Sequence, residues 1–309
     1  MSERVIRSRR FVLHGVLLGI ALMATTPARA QVVNPATANQ KPDAQEPQKP
    51  GLKSYEMPPV TVYGKAPLDE EDRIGDYAQP RWTAARRFSE TRVYVIPKGQ
   101  AEFEYWLKPK VKKDGEPSEF ETLYEAEFGL PGRFQLDLYA VGSKEGADGN
   151  FGITGQKVEV RWAFADWNKI WGNPTAYAEW TENSGGHDTA EFKLLLGGQI
   201  VSKWHWGSNL VWEHTLGETR ETSREWTTGI SYTAKDMKVG VGVETQLAFV
   251  DELEAGSTTQ RGDMAHEFLV GPSFQFRPLP QMHIDFAPLF GLTKAAARSK
   301  SFIVVGWEF

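Results

Sequence analysis

The chain has 309 residues, a formal net charge of −5 and no cysteine. A disulfide framework, a thiolate metal site and a cysteine nucleophile are thereby excluded, and no basic footprint for nucleic acid is present. A mean hydropathy of −0.43 is too polar for a bundle of membrane-spanning helices, while 11 Trp, 9 Tyr and 17 Phe are too many for a disordered chain.

Residues 1–30 read as a cleaved export signal. Arg4, Arg7, Arg9 and Arg10 form a basic stretch, residues 11–23 are apolar, and Ala28-Arg29-Ala30 is a small-x-small cleavage site. The apolar run falls short of the roughly 20 residues that a spanning helix needs. Residues 31–92 read as a disordered periplasmic linker, rich in Pro, Gln, Lys and Asn to residue 58 and charged from 65. Within it lies a short apolar box, Val60-Thr61-Val62-Tyr63-Gly64, after Pro58 and Pro59. Pro80 is placed to open a short helix carrying Arg81, Trp82, Arg86 and Arg87.

From residue 93 to 309 the texture is period two. In residues 239–249 the odd positions are mostly apolar and the even ones small or polar; in residues 120–128 Glu121, Glu125 and Glu127 share one face. Twelve such runs are predicted, at 100–112, 119–130, 133–144, 153–165, 175–183, 189–200, 204–216, 223–233, 237–250, 263–276, 282–293 and 300–309. Their lengths suit tilted strands crossing a bilayer. Tight turns at 130–133, 201–203 and 234–236 alternate with longer polar loops at 145–152, 217–222 and 251–262, as in a barrel with its turns in the periplasm. Trp162, Trp167, Trp171, Trp204, Trp206 and Trp307 are expected at the periplasmic belt, and Trp180, Trp212 and Trp226 at the outer one. The fold class is all-β, a transmembrane antiparallel up-and-down barrel of about twelve strands.

The final strand carries Ile303, Val305, Trp307 and Phe309 on one face and stops on an aromatic. This resembles the C-terminal signature of Gram-negative outer-membrane barrels. The resemblance covers residues 93–309 in pattern only and implies an outer-membrane location, recognition by the barrel-assembly machinery, and contact with outer-membrane lipids and lipopolysaccharide. Lys144, Arg220, Arg224, Arg261, Lys294 and Arg298 in the outer loops suit lipopolysaccharide phosphates.

Alternation assigns Glu102, Glu104, Lys108, Glu121, Glu125, Glu127, Arg133, Asp137, Arg161, Glu179, Lys193, Glu213, Glu244, Arg277, Asp285 and Glu308 to the lumen, because a Lys or Arg facing lipid at mid-membrane costs about 2–4 kcal/mol. Acids outnumber bases in this set. Two readings stay open. One is an acidic water-filled pore passing small hydrophilic solutes with a cation preference, for which Gly207, Gly229, Gly240, Gly242 and Gly271 leave space; the other is a closed barrel whose Glu–Arg and Glu–Lys pairs serve stability or binding. Arg81, Arg86, Arg87 and Arg92 lie upstream of an acidic patch at the periplasmic mouth, so that residues 76–92 are either a partial plug or a solvated linker.

The Val60–Gly64 box resembles the energy-coupling box of TonB-dependent receptors, which implies TonB as a partner by strand addition. Those receptors carry a plug of over a hundred residues and 22 strands, a large departure from this chain. The phospholipase barrels carry His and Ser two apart; here His205 and Ser208 are three apart and point to opposite faces, which prevents a shared proton. Ser184 with His187 and Asp188 in a loop is the remaining candidate for an outer-membrane lipid hydrolase, the last of the alternative readings; no cofactor, metal or enzymatic role is expected.

Overall fold

The computed structural model describes residues 69–309 apart from 91, 147–148, 218–219, 236 and 255–256. The export signal, residues 31–68 of the linker and the Val60–Gly64 box lie outside the described residues. Two short strands, β1 (Arg73–Ile74) and β2 (Gln79–Pro80), pair antiparallel. Pro80 then leads into a single 3-10 turn, Arg81–Thr83, with Arg86 and Arg87 beyond its end.

Twelve longer strands follow. They are β3 (Ala101–Val111), β4 (Glu119–Leu130), β5 (Phe134–Glu145), β6 (Gly152–Ala163), β7 (Thr175–Asn183), β8 (Thr189–Val201), β9 (Trp204–Thr215), β10 (Thr222–Lys235), β11 (Val239–Asp251), β12 (Ala265–Leu279), β13 (Met282–Gly291) and β14 (Ser299–Glu308). Each pairs antiparallel with its sequence neighbour, and β14 pairs with β3 to close the barrel. All twelve predicted runs are strands, with ends shifted by a few residues. Closure leaves no unpaired edge, which is the condition for a sheet to stand in hydrocarbon.

The alternation resolves as expected on the outside. Val158, Val160, Phe192, Leu210, Ile230, Val243 and Phe274 point outward and are exposed, giving an apolar belt of the kind that lipid covers. Trp162, Trp171, Trp204 and Trp307 lie on the outer surface near the turn end, with Trp180, Trp212 and Trp226 nearer the loop end. The Pro131-Gly132-Arg133 turn joins β4 to β5 with Gly132 at φ 75° and Arg133 at φ 66°.

Three details differ from the sequence reading. The β6–β7 connection at the turn end is long, and it tucks Trp167 inward: Trp167 is buried between Trp82 and Tyr94 and does not join the belt. Arg133 belongs to the turn and does not line the lumen. It donates to the Ala163 carbonyl and pairs with Asp166 at 3.0 Å, tying two turns together. The inner face is also less polar than alternation suggests. Trp106, Leu123, Leu269, Leu289, Phe302 and Val304 point inward and pack with Ala296 of the β13–β14 loop into a buried apolar cluster.

Candidate functional site: the lumen and its inserted segment

Residues 69–92 do not hang as a linker. Together with residues 93–100 they run inside the turn end of the barrel, and the reason is chemical. The segment supplies the apolar groups and cations that this half of the inner wall lacks. Trp82, Phe88, Val93, Tyr94 and Val95 are buried with Tyr77, Ala163 and Trp167 in one cluster. The Trp82 ring lies 4.3 Å from that of His205 of β9, tilted at 46°, and edge-on at 5.5 Å to Trp167. Burying each such side chain is worth about 1.5–3 kcal/mol, so the cluster as a whole outweighs a few stretched polar contacts.

Polar contacts fix the segment to strands all round the ring. Arg86 grips Glu104 of β3 with two nitrogens, Nε to Oε1 at 2.9 Å and Nη2 to Oε2 at 2.6 Å, while its guanidinium stacks 4.2 Å over Trp106. Trp106 Nε1 donates to Glu125 Oε2 at 2.8 Å. Arg92 pairs with Glu127 of β4 and lies 3.6 Å from Glu104. The Ile96 amide donates to Gln135 of β5, Arg87 to Thr233 of β10, and the Ser89 and Glu90 amides to Glu244 of β11. Glu90 pairs with Lys300 of β14 at 2.9 Å. Burial pushes the Glu90 carboxyl up, but Lys300, Lys108 and Lys193 more than offset this and hold it below its ordinary value.

Four of the five glycines that the sequence offers as empty space, Gly229, Gly240, Gly242 and Gly271, have neighbours in that space. Phe88 occupies the room above Gly229 so closely that a Cβ there would sit 2.5 Å from its ring. Gly240 faces the Gln275 side chain, Gly242 faces Ser273, and Gly271 faces the Pro288 carbonyl. The absence of side chains at these positions admits protein, so it is no argument for an open bore.

The strand register reveals an arrangement that composition and alternation could not. Glu308 of β14 lies directly opposite Glu102 of β3, and Glu102 opposite Glu127 of β4. The row continues through Asp137, Glu159, Glu179 and Glu191 to Glu213 on β9, each carboxylate directly opposite the next. Neighbouring strands are about 4.8 Å apart and tilted roughly 35–45°, so each step climbs about 3 Å. Seven steps climb roughly 20 Å, most of the height of an apolar band of about 25 Å. Like charges directly opposite one another destabilise a sheet, and cations beside the row offset this. Arg277 holds Glu308 at 2.7 Å, His283 holds Glu102 at 2.5 Å, Arg161 holds Asp137 at 3.1 Å and also Glu159, Lys157 holds Glu179 at 3.1 Å, and Lys193 holds Glu191 at 2.8 Å. Glu213 has no ion-pair partner among the described residues.

Above the inserted segment lies an open-mouthed vestibule, a cavity of about 170 Å³. Its floor includes Arg86, Ser89, Glu90 and Arg92, and its walls Lys108, Lys157, Lys193, Lys300, Glu179, Glu191, Glu213 and Glu225 with Tyr139, Tyr177 and Phe302. Lys108 pairs with Glu121 at 2.6 Å. Lys193 lies 4.4 Å over the Tyr177 ring and Lys300 5.1 Å over Phe302. Glu225 accepts from Ser223 and Gln246, and has no ion-pair partner among the described residues. The vestibule wall is thus a fabric of matched pairs, with Glu213 and Glu225 as its two carboxylates lacking a cation partner.

Of the remaining sequence-derived positions, Asp285 pairs with His283 on the inner face, and Ile303, Val305, Trp307 and Phe309 lie on the outer one. Among the described residues, three carboxylate groups could offer ligands to a cation: Glu102 and Glu104 with His283, Glu104 with Glu125 and Glu127, and Glu125 with Asp137 and Glu159. Arg86, Arg92 and Arg161 already stand among them. His205 faces inward against Trp82, whereas Ser208 faces outward and accepts from Trp226 Nε1 at 2.8 Å, so the two form no catalytic pair.

Scanned against known protein families the sequence matches none, and a search of curated proteins finds no match. Among solved structures the fold is similar to the COG4313 outer membrane channel from Pseudomonas putida F1, with a TM-score of 0.55 at 8% identity over 70% of this chain and 98% of that one. Weaker likenesses are to KdgM porin, with a TM-score of 0.44 at 9% identity over 67% of this chain and 99% of that one, and to NanC porin, with 0.44 at 11% over 68% and 98%. The fold is that of outer-membrane channels.

Proposed function

We propose that this protein is an outer-membrane channel for passive diffusion of small hydrophilic solutes, with a preference for cations. The observation that carries the reading is the vestibule: a closed twelve-strand barrel with an apolar outer belt encloses open, charged, aromatic-lined space inside. A barrel serving stability alone gains nothing from such a cavity, since unfilled interior forfeits packing contacts. Glu213 and Glu225 supply the cation preference, because the lysines beside them are already matched by carboxylates. The exported chain reaches the outer membrane through its terminal aromatic strand and the barrel-assembly machinery. It needs no cofactor and performs no catalysis. Energy coupling through Val60–Gly64 gains no support from the described residues.

Single-channel recording in planar bilayers tests this. Discrete openings are expected, with urea added where needed to loosen the lumen contents, and a reversal potential of cation sign in a salt gradient. The Glu213→Gln/Glu225→Gln double variant moves that potential toward zero. A protein that inserts and gives no openings under any of these conditions refutes the channel reading.

A further inference from the structure

The inserted segment touches the wall at points spread round the ring. It reaches β3 and β4 through Arg86 and Arg92, β10 through Phe88 and Arg87, β11 through Ser89, and β14 through Glu90. A linker passing along one side of a lumen meets only the strands on that side. This segment bridges the bore, and its central aromatic cluster is dry. Its chemistry also matches the wall locally: guanidiniums meet the carboxylates of β3 and β4, and the Phe88 ring meets a glycine.

We infer that residues 69–100 form an autoinhibitory plug: while the segment is seated, the lumen is shut to solutes below the vestibule, and the conducting state is the one in which it leaves. This rests on the channel reading above. The vestibule is then the outer antechamber of a closed channel, and Arg86 and Arg92 are the plug's ionic latch. The plug stays tethered when it leaves, because Gln100 continues directly into β3.

The absence of native cysteine makes a lock easy to install. A Cβ built on Gly229 lies 3.1 Å from Phe88 Cγ, close to the about 3 Å between the Cβ of one half-cystine and the sulfur of the other that disulfide geometry implies. The full chain carrying Phe88→Cys and Gly229→Cys is recorded in planar bilayers with urea in the bath, which weakens apolar burial. Intact barrel formation is checked by heat-dependent gel mobility. Expected are large openings under reducing conditions, their loss on oxidation, and their return on adding reductant. Openings of equal size and frequency in the oxidised and reduced forms overturn the plug and leave the channel standing. Silence in the reduced form and also in a folded chain lacking residues 69–92 overturns both.

Discussion

Removing Arg86 takes a guanidinium that lies within 4 Å of three buried carboxylates: Glu104 at 2.6 Å, Glu127 at 3.4 Å and Glu125 at 3.8 Å. The Arg86→Met variant keeps an unbranched apolar stem but loses the guanidinium that lies over Trp106, and it leaves these acids with Arg92 as the remaining cation from the segment. Breaking a buried pair from one side costs about 3–5 kcal/mol, because the surviving charge stays desolvated. Neutralising the partner as well relieves most of that cost. Arg86→Met with Glu104→Gln is therefore expected to be more stable than Arg86→Met alone, with a coupling of roughly 2 kcal/mol or more in a double-mutant cycle. The measurement is urea unfolding of the detergent-solubilised protein followed by tryptophan fluorescence, with limited proteolysis of residues 69–100 as the local readout. Additive effects, or an Arg86→Met cost below about 1 kcal/mol, would show that the pair is solvated and the segment only loosely seated.

Trp82→Ala empties a site bounded by Trp167 and His205; a loss of about 3–5 kcal/mol is expected, seen as earlier protease cleavage within residues 69–100 while the barrel's heat-dependent gel mobility is kept. Gly132→Val places a branched side chain at φ 75°, and a loss of about 1–2 kcal/mol is expected, read as a lower unfolding midpoint, with no change in protease access to the inserted segment.

Strand number, order and the lipid-facing set were legible in the sequence because both faces of each strand answer to different solvents: Phe103 and Tyr105 point out while Glu102 and Glu104 point in. The lumen contents were less legible. Inward acids follow from alternation, but which acid meets which depends on register, and register is a property of two strands at once. The row from Glu308 to Glu213 is accordingly invisible until the pairing is known. The inserted segment was half legible: four arginines upstream of an acidic mouth are a charge match, and the structure pairs Arg86 and Arg92 with Glu104 and Glu127. What composition hid is that Phe88 and Val93 fit against Gly229 and Gly197, a match of shape and not of charge. Arg133 and Trp167 were misplaced for one reason: both sit in turns, where the period-two rule that sorts inside from outside no longer applies.

The ascending carboxylates also bear on how the barrel is put together. Strand pairing has a period of two, so a strand docked one residue out of step turns its whole inner set outward. On β14 and on β3 through β9 that error would push at least one acid, often with its cation, against acyl chains. Each seam in this stretch therefore carries its own proofreading mark, checked by the membrane as the hairpin goes in.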